Sequence, residues 1–232
     1  MTMETEFLTS EAVAIPAYLA KTYWWAYVHP RAVKFFERQW LVNLILWGNF
    51  GRLRDAALEA LGGRLEGRTL QVACVYGDLT PRLAARVGGD GMLDVVDVLP
   101  VQLENLARKL PAGAPVNLLH GDATRIAAAD ATYERVLVFF LLHEQPEEVR
   151  RATLAEAMRV LKPGGKLVVV DYHRPHALHP LRAFMRALLA RLEPFALDLW
   201  RGEVTRWLPC AAAAPAKRLF YGGLYQLVEV TR

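Results

Sequence analysis

The chain has 232 residues, of which 53% are hydrophobic and 22% charged, with a net charge of +4 and two cysteines. A chain of this length forms one domain with a small appended piece and buries roughly 70–75% of its unfolded surface, so its core needs no disulfide or metal staple. Cys74 and Cys210 lack metal-ligand spacing, and the modest positive charge has no dense Lys/Arg block. Nucleic acid is therefore not expected as a partner, whereas an anionic membrane surface remains open. Glu4, Glu6 and Glu11 stand where a secretory leader would be basic, which predicts a cytoplasmic location.

Residues 1–15 read as a frayed lead-in. From Pro16 to Trp47 the pattern is helical and rich in aromatic residues, and Pro30 divides it into two helices. Residues 40–47 are apolar nearly all round but far shorter than the about 20 residues that cross a bilayer. They suit a helix packed on the main domain. They also suit a lid facing lipid or a greasy substrate, with Arg31, Lys34, Arg38 and Arg52 near the headgroups. Gly62 and Gly63 close the next helix. The expected organisation is an aromatic-rich helical cap over residues 1–62 and a main domain over residues 63–232.

The main domain alternates strands and helices. An apolar run over residues 70–75 ends at Tyr76, Gly77 and Asp78, and a helix follows with Thr80 as its expected cap and Pro81 at its first position. Residues 91–98 read as a second strand ending near Asp97, followed by an amphipathic helix from Pro100. Residues 115–120 are a third strand before Gly121, Asp122 and Ala123. The continuous apolar run over residues 135–142 is a fourth, buried strand that includes Phe139 and ends at His143. A helix over residues 147–161 stops at Lys162-Pro163-Gly164-Gly165, and a fifth strand covers 166–171. After a basic helical insert at about 175–209, Gly222 and Gly223 suggest a two-residue hairpin turn. These signals predict an α/β fold: a Rossmann-like, doubly wound, mostly parallel sheet with a C-terminal antiparallel hairpin, plus the N-terminal helical cap. In such sheets the ligand lies at the carboxyl ends of the strands.

Three motifs give the chain a family resemblance. Asp97 with Pro100 and Leu103, the Gly121-Asp122-Ala123 segment, and Arg159-Val160-Leu161-Lys162-Pro163-Gly164-Gly165 resemble the class I S-adenosylmethionine-dependent methyltransferases, in their quinone-biosynthesis branch. The resemblance implies S-adenosyl-L-methionine as cofactor, with Asp97 and Val98 at its ribose, Asp122 and Ala123 at its adenine, and Gln71, Ala73, Tyr76, Gly77 and Phe139 completing the site. A carboxylate at a strand's carboxyl end suits a ribose diol independently of any family. Against the family's pattern, Gln71 stands where an acid is usual, and only Gly77 remains of the loop's glycines near positions 73, 75 and 77.

This loop variant, together with residues 23–31 and 220–225, resembles the rhodoquinone biosynthesis (RquA) family within that superfamily. That implies replacement of a ring methoxy group of the membrane quinone ubiquinone by an amino group from the cofactor, aided by manganese, at the inner face of the cell membrane. Tyr76, Asp78 and His143 are the expected catalytic residues, and His143, Glu144, Asp78 and Asp171 the pool for a metal. The alternatives are an ordinary quinone methyltransferase and a non-catalytic accessory subunit of a quinone-synthesis complex.

Overall fold

The computed structural model describes residues 8–9, 14–19, 38–209 and 215–232. The aromatic stretch over 20–37, and with it the break expected at Pro30, lies outside the described residues, as does Cys210. The elements in chain order are β1 (Leu8–Thr9), α1 (Gln39–Ile45), α2 (Phe50–Leu61), β2 (Arg68–Val72), α3 (Leu79–Ala84), β3 (Met92–Asp97), α4 (Pro100–Ala107), β4 (Val116–His120), β5 (Tyr133–Phe139), α5 (Glu147–Val160), β6 (Leu161–Tyr172), α6 (Arg182–Leu192), α7 (Asp198–Arg201), β7 (Ala216–Phe220) and β8 (Tyr225–Thr231).

They build one sheet in the order β1-β4-β3-β2-β5-β6-β8-β7. Strands β1 to β6 pair in parallel, while β8 runs antiparallel to both β6 and β7. The chain winds outward from β2 to β4, returns to lay β5 on the other side of β2, and so creates a crevice between the carboxyl ends of β2 and β5. The doubly wound sheet and its antiparallel C-terminal strands are those expected from the sequence. Helices on both faces demand strands apolar throughout, and Leu70, Val72, Val95, Val136, Leu137, Val138, Val168 and Val169 are all buried.

Several boundaries differ from expectation. Helix α3 starts at Leu79 with Asp78 as its cap residue, so Thr80 lies inside the helix, where its hydroxyl donates to Gln71. Strand β6 already starts at Leu161, because the Lys162–Gly165 turn bulges within a strand that β5 pairs on both sides of the irregularity. Four residues, 221–224, join β7 to β8 instead of two; Tyr221, Gly222 and Gly223 all take positive φ there. Residues 8–9 of the lead-in pair with Leu119 and His120 as an edge strand. Helix α2, within the stretch assigned to the cap, packs Phe50, Leu53, Ala57 and Leu58 into the same core as the sheet.

The helical insert is tied to the sheet by a buried cation. Arg150 of α5 is fully buried and donates to the carbonyls of Leu142, Gln145 and Phe195 at 3.0, 2.8 and 3.1 Å. Its guanidinium lies 4.4 Å from the centre of the Trp207 ring. One side chain thus joins the turn after β5 to the segment after α6. Replacing it by Leu leaves three carbonyls without a donor, and Arg150→Leu is expected to cost about 3 kcal/mol or more of stability. Urea unfolding checks this; a loss below about 1 kcal/mol would contradict the role assigned to Arg150.

Candidate active site

At the carboxyl ends of β2 to β5 lies a cavity of about 630 Å³, within the range of roughly 300–1,000 Å³ usual for small-molecule sites. Asp97 ends β3 and is 8% exposed. Its Oδ2 accepts from the Cys74 N–H at 2.7 Å and its Oδ1 from the Leu99 N–H at 2.8 Å, so the carboxylate bridges the loops after β2 and β3. Burial pushes its pKa up, opposed by those two backbone donors. Each oxygen keeps a further lone pair for a ligand. Past β4, Asp122 Oδ1 accepts from the Thr124 N–H and hydroxyl, which leaves Oδ2 as the oxygen for a ligand. Val98, Ala123 and Phe139 also line the cavity.

The loop after β2 is held from behind. Buried Gln71 donates from Nε2 to the Ala73 carbonyl at 2.9 Å and accepts from Thr80 at 3.0 Å. Ala73 takes φ +70°, a conformation that glycine adopts freely and that costs another residue about 1–2 kcal/mol. Lys109 Nζ donates to the carbonyls of Val75 and Gly77, and Gln102 Nε2 to the Tyr76 hydroxyl at 2.9 Å. Gly77 has φ +83°, and a Cβ there would stand 2.9 Å from Phe50 Cζ.

The other half of the cavity is apolar. Leu44 and Trp47 near α1 face Phe184, Leu188 and Leu192 of α6, and Trp47 meets Phe184 edge to face at 5.8 Å. Between the two halves sits the 3-10 turn Leu142–Glu144 with His143. His143 is buried, with Nδ1 at ion-pair distance, 3.0 Å, from Asp171 Oδ1 and Nε2 3.7 Å from Glu144 Oε1. Burial alone would lower its pKa. Asp171, then Glu193 and Glu144, outweigh that and raise it from 6.5 to about 9. The stability this ion pair contributes is therefore fully present below about 6.5 and lost as pH rises through about 9. Tyr18, from the N-terminal segment, also lines the cavity; burial, Glu144 and Asp122 push its pKa up.

Residues 69–165 match the family model described as a methyltransferase domain. Over these residues the chain is similar to a methyltransferase domain. Among curated proteins it is 31% identical over 135 residues to the demethylmenaquinone methyltransferase of Staphylococcus aureus (strain MRSA252), covering 58% of this chain. The chain spans 55% of that relative's length. Its fold is similar to that of N-methyltransferase NodS from Bradyrhizobium japonicum WM9, with TM-score 0.58, 16% identity, and 79% of this chain and 98% of that one covered. The complex of NodS with S-adenosyl-l-homocysteine gives TM-score 0.55 at 14% identity, covering 78% and 86%.

In the structure the cavity gathers Ala73, Tyr76, Asp97, Val98, Asp122, Ala123, Phe139 and His143. It does not gather Gln71, Gly77 or Asp78. Gln71 acts behind the loop, because the alternation along β2 turns its side chain toward Thr80. Gly77 is where α2 presses on the loop, through Phe50. The Asp78 carboxylate accepts from Arg54 at 2.7 Å and from Arg82 at 2.6 Å, and these cations hold its pKa below the usual range despite the upward push of burial. It is an ion-paired helix start outside the cavity.

Gln102, Tyr18, Tyr172 and Glu193 were not foreseen as site residues. Gln102 alone left a signal, as a polar residue in the first turn of the helix after Asp97.

Manganese, which the resemblance implies, does not find a ligand set. Among the described residues no three His, Cys, Asp or Glu side chains are gathered for a metal. Asp78 is taken by arginines, and Asp171 accepts from the backbone N–H groups of Leu142, His143 and Tyr172. The cofactor fits better, since Asp97 and Asp122 stand where the strand ends require acceptors.

Asp97→Ala removes two charge-assisted acceptors, on the order of 2–3 kcal/mol. Affinity for S-adenosyl-l-homocysteine is expected to fall by roughly one to two decades. Calorimetry on a variant shown by circular dichroism to be folded checks this, and unchanged affinity would remove Asp97 from the cofactor site.

Proposed function

We propose that the protein is an S-adenosylmethionine-dependent transferase acting on a membrane quinone. Within that class, our reading is that it forms rhodoquinone from ubiquinone, exchanging a ring methoxy group for an amino group that the cofactor donates. The observation that carries the quinone reading is the division of one cavity into a polar half around Asp97 and Asp122 and an apolar half between α1 and α6. A cationic cofactor suits the first, and a ring with a long hydrocarbon tail suits the second. Leu44, Ile45, Trp47, Phe184 and Leu192 line that apolar half and also reach solvent, at 38–64% exposure. They make an apolar mouth continuous with the cavity. Helix α6 adds Arg182, Arg186 and Arg191 and no acid, which suits an anionic membrane surface. No helix among the described residues is long and apolar enough to cross a membrane.

Support for amino exchange comes from the loop after β2. When bound, the cofactor supplies an activated sulfonium and an α-amino group. An acid at position 71 would favour the charged amine, whereas Gln71 is neutral and fixes the Ala73 carbonyl. Tyr76 brings a hydroxyl, already bonded to Gln102, to the cavity at a loop position that is small in the wider family. The second reading, an ordinary quinone methyltransferase, is favoured by the similarity to a demethylmenaquinone methyltransferase.

Purified protein, S-adenosylmethionine and a short-chain ubiquinone, with and without manganese, distinguish these readings by the mass of the quinone product. Loss of methoxy with gain of an amino nitrogen supports the first reading, and a gained methyl supports the second. An unchanged quinone sinks both and leaves an accessory role.

The mouth is tested separately. Leu44→Glu combined with Phe184→Glu is expected to lower turnover of long-tailed quinone in anionic vesicles by about tenfold or more, since a charged side chain at the hydrocarbon boundary costs over 1 kcal/mol. Affinity for S-adenosyl-l-homocysteine is expected to stay within about twofold. Full turnover on vesicles would rule out this mouth as the entrance.

A further inference from the structure

The turn after β5 is held by more contacts than its three helical residues require. Asp171 lies on the neighbouring strand, one residue beyond the Phe139–Val170 pair. Its Oδ2 accepts from the N–H groups of Leu142 at 2.9 Å and His143 at 3.3 Å. From the opposite side, Arg150 holds the carbonyls of Leu142 and Gln145. The His143 ring is gripped edge-on by Tyr172 at 5.0 Å and Phe140 at 5.9 Å. Backbone and ring plane are thereby fixed, and Nδ1 faces Asp171 Oδ1 as an ion pair at 3.0 Å, without hydrogen-bond geometry. Nε2 is not so committed: at 3.7 Å, Glu144 Oε1 is beyond hydrogen-bond length, and both residues line the cavity where its polar and apolar halves meet.

Resting on the quinone reading above, we propose that His143 is the hydrogen-bond donor to a carbonyl oxygen of the quinone, and that Asp171 is its positioning residue. A quinone ring attacked by a nucleophile pushes electron density onto a carbonyl oxygen. A donor fixed beforehand in a water-poor site stabilises that charge without having to reorient. The Asp171 carboxylate beside Nδ1 favours the imidazolium, in which Nε2 also carries a proton; in the neutral ring the proton would stay on Nδ1 and Nε2 could not donate.

The ionisable neighbours act in the same direction. Asp171 and Tyr172 face the ring from β6, Glu144 from its own turn, and Glu193 from just past α6. Against these acids stands Arg150 of α5. Tyr225 of β8 lies behind Tyr172, and Tyr18 adds a hydroxyl on the Glu144 side; burial pushes all three tyrosines up, so they stay neutral.

The test uses the full chain with cofactor and short-chain ubiquinone, and measures kcat and KM against pH for the wild type, His143→Gln and Asp171→Asn. Calorimetry with S-adenosyl-l-homocysteine and imidazole NMR of His143 accompany the kinetics. His143→Gln is expected to lose kcat by about 10²–10⁴-fold while keeping cofactor affinity. In the wild type, turnover is expected to fall above the titration of His143 near pH 9. In Asp171→Asn, the NMR titration and the fall in turnover are expected to move together to lower pH, by roughly one unit or more.

Wild-type kcat in His143→Gln overturns the proposal while leaving the quinone reading intact. An unmoved pH profile in Asp171→Asn overturns the positioning role, and if that variant does not fold, His143→Gln decides alone. A wild type that leaves every quinone unchanged removes the quinone reading and this proposal together.

Discussion

The polar end of the cavity depends on one carboxylate shared between two strand ends. β2 and β3 lie side by side, with Val72 opposite Val96, and each turns away from the sheet within a residue or two of that pair. The turns leave the N–H groups of Cys74 and Leu99 without sheet partners, and Asp97 accepts both. An ionised carboxylate at this depth is costly unless donors surround it, and the two N–H groups are the donors. One side chain thus both lines the cavity and ties two strand ends together. The same carboxylate sets where the loop after β2 begins, and Lys109 and Gln102 then fix its later residues.

Backbone strain concentrates at the crevice between β2 and β5. The first residue past each strand, Ala73 and Phe140, takes positive φ, at +70° and +51°. Neither is glycine, so each costs on the order of 1–2 kcal/mol. The surroundings enforce both conformations. The Ala73 N–H donates to Val96 and its carbonyl accepts from Gln71, while the Phe140 N–H donates to Val170. The Phe140 ring is packed among those of Phe139, His143, Tyr172 and Tyr225. At Ala73 a methyl group lines the cavity beside Tyr76.

What could be read from the sequence follows from which interactions are local. The winding of the sheet was legible because buried parallel strands are continuous apolar runs, and Asp97 and Asp122 were legible because acids at such strand ends face the crevice whatever the side-chain details. The ion pairs of Asp78 and its place outside the cavity lining were not legible, for lack of distant information. A carboxylate beside the loop serves a ligand or a helix start depending on whether Arg54, 24 residues away in sequence, reaches it. Gln71 was recognised as a departure, but the direction of its side chain depends on Thr80, whose expected place as a cap hid its bond to Gln71. The pairing of His143 with Asp171 spans 28 residues and two strands, and no pattern in either segment announces it.

The two halves of the cavity set opposite demands, and the His143 turn is where they meet. A sulfonium cofactor is favoured by acidic neighbours, whereas a neutral quinone needs a donor and an apolar wall. Placing acids throughout would serve the first ligand and repel electron density developing on the second. The structure places Asp97 and Asp122 in the polar half and faces Asp171, Glu193 and Glu144 toward one imidazole, with Asp171 nearest at 3.0 Å. A buried histidine is ordinarily neutral, because desolvation disfavours the cation. Here Asp171, then Glu193 and Glu144, oppose that preference and push the His143 pKa up. On the function proposed above, the cationic cofactor takes the polar half and the quinone oxygen meets His143, with its tail leaving between α1 and α6.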